Sequence, residues 1–399
     1  MTSIKIAFVF PGQGGQKPGM GSAWVDHPSW ELVEEASDVT GRDIAKLLLE
    51  ADKEELTKTH NSQLVTYIAS MLALDAVERV GVDAACYAGH SLGEYSALTA
   101  AGSLSYSAGV KLVAERGEAM QDAAESQPGT MAAVLGLEDD VVEMCCSKAV
   151  GDVWVANYNT PGQVVVAGSV EGIEAVTEEC KAAGAKKVMP LPVGGAFHTT
   201  FMSPARDRLV KAIDETDLRD CIAPVYANVD SAPHTEAAEW GKLLAAQLTS
   251  PVRWRQSMDQ MGADGFDVYV ELGSGRILSG MTKRTNPAAE AINVGSPADV
   301  DALLERLAKA RTEPTEEETP DGETLYAVER LVISPGNGVF EPVIDLTDGQ
   351  TIKQGQIIGK VGELEVKSPF TGHLQGLLAL DGEKVNASQP LAWLRIVTD

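Results

Sequence analysis

Residues 82–101 read VDAACYAGHSLGEYSALTAA. A strand-like run at 82–88 leads into Gly89-His90-Ser91-Leu92-Gly93, and helix-prone residues 94–101 follow. A Gly-x-Ser-x-Gly pattern at a strand-to-helix turn is a nucleophile elbow. Its glycines permit a tight backbone, and its serine is left exposed at the N-terminus of the helix. Amides at a helix end favour developing negative charge, so the Leu92 N–H can supply half of an oxyanion hole. The plainer alternative is a glycine-rich turn capped by Ser91. The rest of the chain decides between them.

Working outward, short β-prone runs alternate with longer amphipathic stretches. Residues 4–10, 153–156, 164–167, 225–228 and 268–271 read as strands; 62–80, 107–122 and 299–311 carry apolar residues at helical spacing. Such alternation predicts an α/β fold with a largely parallel sheet. Within it, 128–195 reads as a small ferredoxin-like insert, with strands at 131–137, 163–167 and 187–193 and a helix at 170–183.

The chain has 399 residues and a net charge of −26, with 44% apolar and 23% charged residues. That length suggests two or three domains. The charge argues against nucleic acid or an anionic membrane as partner, and no apolar run is long enough to span a bilayer. Five scattered cysteines without CxxC spacing indicate neither zinc nor a disulfide framework and fit a cytoplasmic protein. Residues 312–324, TEPTEEETPDGET, hold six acidic side chains and no large apolar group, so 312–325 is expected to be a linker. It separates a domain at 1–311 from a module at 326–399. In the module, Gly and Pro turn signals recur every 8–12 residues, which predicts a small all-β barrel or sandwich.

A serine nucleophile needs a base. Of six histidines, His198 lies in a glycine-rich turn after a predicted strand, where active-site residues are often carried; the bland reading is a surface loop histidine. His90 adjoins Ser91, but neighbouring side chains on such a turn point apart. The loop Phe10-Pro11-Gly12-Gln13-Gly14-Gly15-Gln16 follows the first strand and fits neither a dinucleotide nor a P-loop spacing. It can instead present the Gln13 N–H as the second oxyanion donor. Arg116 sits on a helix of mostly small and apolar residues, where its fork suits a substrate carboxylate; the alternative is a solvated arginine.

FVFPGQGGQ (8–16), GHSLGEYSAL (89–98), the Arg116 helix, NYNTPGQVVVAG (157–168) and GGAFH (194–198) occur in order and at the spacing of one family. Together they resemble the malonyl-CoA:acyl-carrier-protein transacylases, over residues 4–310. The resemblance implies an α/β-hydrolase-like core and a ping-pong transfer of malonyl from malonyl-CoA to an acyl carrier protein, supplying fatty acid or polyketide synthesis without a cofactor or metal. It assigns Ser91 as nucleophile, His198 as general base and Gln13 and Leu92 as oxyanion donors. Arg116 pairs with the malonyl carboxylate, Gln63 and Asn159 line the pocket, and a backbone carbonyl at Gln247 orients the histidine. Phe197 goes with malonyl over methylmalonyl, a preference worth about 1–3 kcal/mol for one methyl group. Gly15 and Gly194 stand where the family often has Ser, and Gln63-Leu64-Val65 where it often has Gln-Pro-Ala.

Residues 326–399 resemble biotinyl/lipoyl carrier domains, but only GELEVK (362–367) separates GQIIGKV from SPFTG. The hairpin that carries the modified lysine is therefore shortened. Lys360 and Lys367 fall at its flanks, and docking of another protein is the expected role. Two rivals remain: a serine hydrolase or thioesterase using Asp139, Asp140 or Asp152 as third member, and a non-catalytic scaffold.

Overall fold

The run Ile-Ala-Phe-Val-Phe forms β1 (Ile6–Phe10), buried on both faces beyond its first residue, as a central parallel strand requires. In chain order there follow β2 (Cys86–Gly89), β3 (Thr130–Leu135), β4 (Val153–Thr160), β5 (Gln163–Gly168), β6 (Lys187–Pro190), β7 (Val225–Tyr226), β8 (Pro233–His234), β9 (Val268–Leu272) and β10 (Glu290–Val294). The computed structural model describes residues 5–312, 329–343, 346–347 and 349–396. Beyond Thr312, the segment expected as a linker lies outside them. The chain divides into two compact units, Met1–Glu313 and Pro314–Asp399.

The first unit is an α/β fold around a mixed six-stranded sheet ordered β10-β9-β1-β2-β7-β8. All neighbours are parallel except β7 and β8, with Phe8 registered against Tyr87 on one side and Val270 on the other. The helix Thr59–Glu78 is buried along nearly its whole length. It has no single apolar face because helices and sheet surround it. A second sheet, β4-β5-β3-β6, is wholly antiparallel. With the helices Asp139–Lys148 and Val170–Ala182 it runs β-α-β-β-α-β. Its last strand stops at Pro190, short of the expected 193, and leaves 191–195 free to form a loop.

The second unit has two four-stranded antiparallel sheets, built from β11 (Glu329–Ile333), β12 (Gly338–Pro342), β13 (Thr351–Ile352), β14 (Ile357–Val361), β15 (Leu364–Lys367), β16 (Gly372–Leu377), β17 (Lys384–Val385) and β18 (Pro390–Ile396). Their orders are β11-β18-β16-β13 and β15-β14-β12-β17. Phe340, Ile352, Leu374 and Leu391 are among the side chains that fill its core. Two halves repeat each other. Ser334 Oγ donates to the Gly336 carbonyl (2.6 Å) and Ser368 Oγ to that of Phe370 (2.7 Å). Ser334 N–H reaches Gln389 O (2.8 Å), as Ser368 N–H reaches Gln356 O (2.9 Å). The β14–β15 turn is Gly362-Glu363, with Val361 opposite Leu364. Its tip therefore holds no lysine.

Candidate active site

β2 ends at Gly89 and the helix Gly93–Ala100 begins four residues later. A Cβ on Gly89 would lie 1.8 Å from the Gly93 carbonyl carbon, and one on Gly93 would lie 2.0 Å from the Phe10 oxygen. Only glycine fits at either end of this turn. Between them Ser91 is held at φ 53°, in the left-handed region that non-glycine residues avoid. Asn228, just after β7, holds the strained turn: its Oδ1 accepts from the Ser91 N–H (2.7 Å) and its Nδ2 donates to the Gly89 carbonyl (2.7 Å).

His198, itself at φ 63°, comes from the loop that follows β6. Its Nε2 is 2.7 Å from Ser91 Oγ and its Nδ1 is 2.9 Å from the Gln247 carbonyl oxygen. A carbonyl only accepts, so Nδ1 carries the hydrogen and Nε2 faces the hydroxyl as a base. Burial first, and then the positive charge of Arg116, push the imidazole pKa down to about 3. It stays neutral and able to take a proton.

Arg116 is 1% exposed. Its guanidinium donates to Gln63 Oε1 (2.6 Å), Ser91 Oγ (3.1 Å) and Gln247 Oε1 (2.9 Å). All three acceptors are neutral. Burial lowers its pKa from the ordinary value, and the Tyr95 ring lies 5.5 Å away. A cavity of about 420 Å³ opens onto this cluster, lined among others by Gln13, Gln63, Asn159, Phe197, Ser91 and Arg116. The Gln13 and Leu92 backbone N–H groups have no protein acceptor among the described residues, and both residues line the cavity.

Gln13, Gln63, Ser91, Leu92, Arg116, Asn159, Phe197 and His198 thus line one cavity, and Gln247 bonds both Arg116 and His198. His90 also lines the cavity, but its Nε2 bonds Asn159 Oδ1 (2.9 Å) rather than Ser91. Sequence reasoning missed Asn228 and Glu94. Glu94 is wholly buried, and accepts from Asn228 N (2.6 Å) and Gln247 Nε2 (2.7 Å). Burial pushes its pKa up to about 7, against the pull of those two donors and of Arg116. The one available signal was its place in the first turn of the elbow helix. Among the described residues, no group of three potential ligands is arranged to hold a metal ion, and no helix is long and apolar enough to cross a membrane.

Residues 7–311 match the family model for the acyl transferase domain. The chain belongs to that family. The malonyl CoA-acyl carrier protein transacylase of Bacillus subtilis is 38% identical over 308 residues, which cover 76% of this chain and 97% of the relative. The crystal structure of an acyl-carrier-protein S-malonyltransferase from Burkholderia pseudomallei aligns with a TM-score of 0.73 at 39% identity, over 76% of this chain and 100% of that one. A malonyl-transacylase in complex with its type II PKS acyl-carrier protein aligns with a TM-score of 0.73 at 36% identity, over 76% of this chain and 99% of that one. The acyl transferase match ends at Arg311, before the second unit begins.

Proposed function

We propose that the acyl transferase unit moves malonyl from malonyl-CoA to the phosphopantetheine thiol of an acyl carrier protein. One observation carries this reading: a buried, permanently charged arginine lies 3.1 Å from the nucleophile, inside the cavity where an acyl group on Ser91 would sit. Such a cation suits an acyl chain that ends in a carboxylate. The named relatives and the carrier complex agree with that substrate and partner.

His198 takes the Ser91 proton as Oγ attacks the thioester carbonyl. The tetrahedral oxyanion is held by the Gln13 and Leu92 amides. As the C–S bond breaks, His198 Nε2 returns the proton to the coenzyme A thiolate. The carrier thiol then gives its proton to His198 and attacks the malonyl ester; as the bond to Oγ breaks, His198 passes that proton to Ser91. Intact-mass spectrometry after incubation with malonyl-CoA should show one malonyl group on the chain, removed by carrier protein. A chain that stays unlabelled and only releases free malonate would point to the hydrolase. That rival draws little support from the site, because Asp139 pairs with Arg255 (2.9 Å) while His198 leans on a carbonyl.

We read the core as α/β-hydrolase-like, the β-α-β-β-α-β insert as ferredoxin-like, and the second unit as a barrel-sandwich of the biotinyl/lipoyl type. Its two repeated halves support the last assignment. With Gly362-Glu363 at the turn, the module docks another protein rather than carrying a prosthetic group. Truncation after Arg311 should leave a soluble enzyme with near-normal malonyl transfer, since the family match ends there. Insoluble truncated protein would show instead that the module holds the enzyme folded.

An acidic carrier must dock on an acidic chain, so local cations are needed. Of the basic residues flanking the His198 loop, Arg208 is engaged by Glu115, Glu118 and Asp122, and Arg206 by Asp207. Arg208 is thereby committed to three acids, whereas Arg206 keeps only a weak surface pair. Lys186, Lys187 and Lys211 remain exposed, the first two at the start of β6, the strand that runs on into the loop lining the cavity. Lys187→Glu should raise the carrier KM about 3- to 10-fold at low salt and leave self-acylation by malonyl-CoA unchanged. An unmoved carrier KM would place docking elsewhere.

A further inference from the structure

We propose that Glu94 is the positioning residue that fixes the direction of the Gln247 side-chain amide and thereby aims Arg116 at the incoming acyl carboxylate. This rests on the malonyl-transfer reading above.

The argument is one of donors and acceptors. Gln247 Nε2 has two hydrogens and two neighbours, Glu94 Oε2 (2.7 Å) and the Ser91 carbonyl (2.8 Å). Above about pH 7 the Glu94 carboxylate is ionised and, like a carbonyl, can only accept. The amide nitrogen must therefore face them, which leaves Oε1 for Arg116. Turned over, the amide would set oxygen against two acceptors and N–H against the guanidinium. The other carboxylate oxygen takes the Asn228 N–H, and Asn228 in turn holds the Ser91 N–H and the Gly89 carbonyl. Both backbone groups of Ser91 are thus tied, each through one intermediary, to the two oxygens of a single buried side chain.

Glu94 is not among the residues lining the cavity, so it touches neither substrate nor reacting atoms. Its second contribution is charge at one remove. The acceptors on Arg116 are neutral oxygens, one of them the displaceable Ser91 Oγ. A carboxylate bonded directly to the guanidinium would compete with the substrate for the same fork. Relaying the countercharge through Gln247 leaves the fork open.

Glu94→Gln tests this with little change of shape. Glutamine has one acceptor and one donor, so a donor must now face either Asn228 N–H or Gln247 Nε2. Relief comes from turning the Gln247 amide, which puts its nitrogen against Arg116. Single-turnover acylation of Ser91 in the full chain, from malonyl-CoA and from acetyl-CoA, should show the malonyl preference falling about tenfold, the loss of one charge-assisted contact. In an Arg116→Ala background the same change should barely alter the preference. Glu94→Asp, still acceptor-only but one methylene shorter, should show a smaller drop in the same direction. It carries the test alone if the glutamine variant does not fold. Equal slowing of both donors, with Arg116→Ala still erasing the preference, would reduce Glu94 to a structural part and overturn the inference. An Arg116→Ala enzyme that keeps its malonyl preference would instead overturn the reading on which the inference rests.

Discussion

Ser91→Ala is expected to take up no malonyl label and to transfer none, with a rate lower by roughly 10⁴- to 10⁶-fold, the usual cost of removing a nucleophile. The variant should still fold. The Ser91 N–H and carbonyl, which Asn228 and Gln247 hold, belong to the backbone and survive the change. Alanine at φ 53° is strained as serine was, so the melting temperature should move by only a few degrees. The hydroxyl's own partners lose more. His198 Nε2 is left without its donor, and one arm of Arg116 without its acceptor. Intact mass after incubation with malonyl-CoA reads the result directly. Substantial residual transfer by a folded variant would remove Ser91 from the mechanism, and with it every role assigned relative to Ser91.

What the sequence disclosed and what it withheld differ in kind. Ser91, His198, Arg116 and the Gln13 loop were legible because each belongs to a local pattern whose chemistry is intrinsic: a strained turn, a base on a flexible loop, a charge on an apolar helix. The parallel sheet was legible for the same reason, through short β-prone runs separated by helical periods. A two-residue strand such as β8 is too short for any period to register, while β7 proves shorter than the strand read at 225–228. The network that positions the site was hidden by distance along the chain. Asn228 lies 137 residues from Ser91, and Gln247 lies 153 from Glu94. Nothing in the stretch around Glu94 announces that its carboxylate is wholly buried. The basic stretch at 206–211 likewise hides its pairing. Its arginines look free in sequence, yet Arg208 is engaged by Glu115, Glu118 and Asp122 on the neighbouring helix Tyr106–Ser126. In the second unit the turn signals disclosed the β class, whereas the repeat of its two halves emerged from paired hydrogen bonds such as those of Ser334 and Ser368.

Arg116→Ala is expected to slow acylation by malonyl-CoA about 10- to 100-fold, the worth of a charge-assisted pair with a carboxylate. Acetyl-CoA has no carboxylate to lose, so the gap between the two donors should close. The same substitution has a second consequence at His198. The positive charge of Arg116 disfavours a neighbouring imidazolium, and burial disfavours it more. Removing the guanidinium takes away the first cause and, by opening space beside the ring, weakens the second. Both changes act in one direction, and the His198 pKa should rise from about 3 toward its ordinary 6.5. The sign follows for stability as well. A histidine whose folded pKa is depressed contributes fully above about 6.5 and loses that contribution as the pH falls toward the folded value. In the variant this window of acid sensitivity should narrow from below. The imidazole can be followed by NMR titration in both proteins, which separates the electrostatic effect from the rate. A malonyl-to-acetyl ratio that stays constant while the His198 titration shifts would assign Arg116 to the base alone. A ratio that collapses together with the shift places one guanidinium in both tasks, holding the substrate's charge and keeping the base neutral.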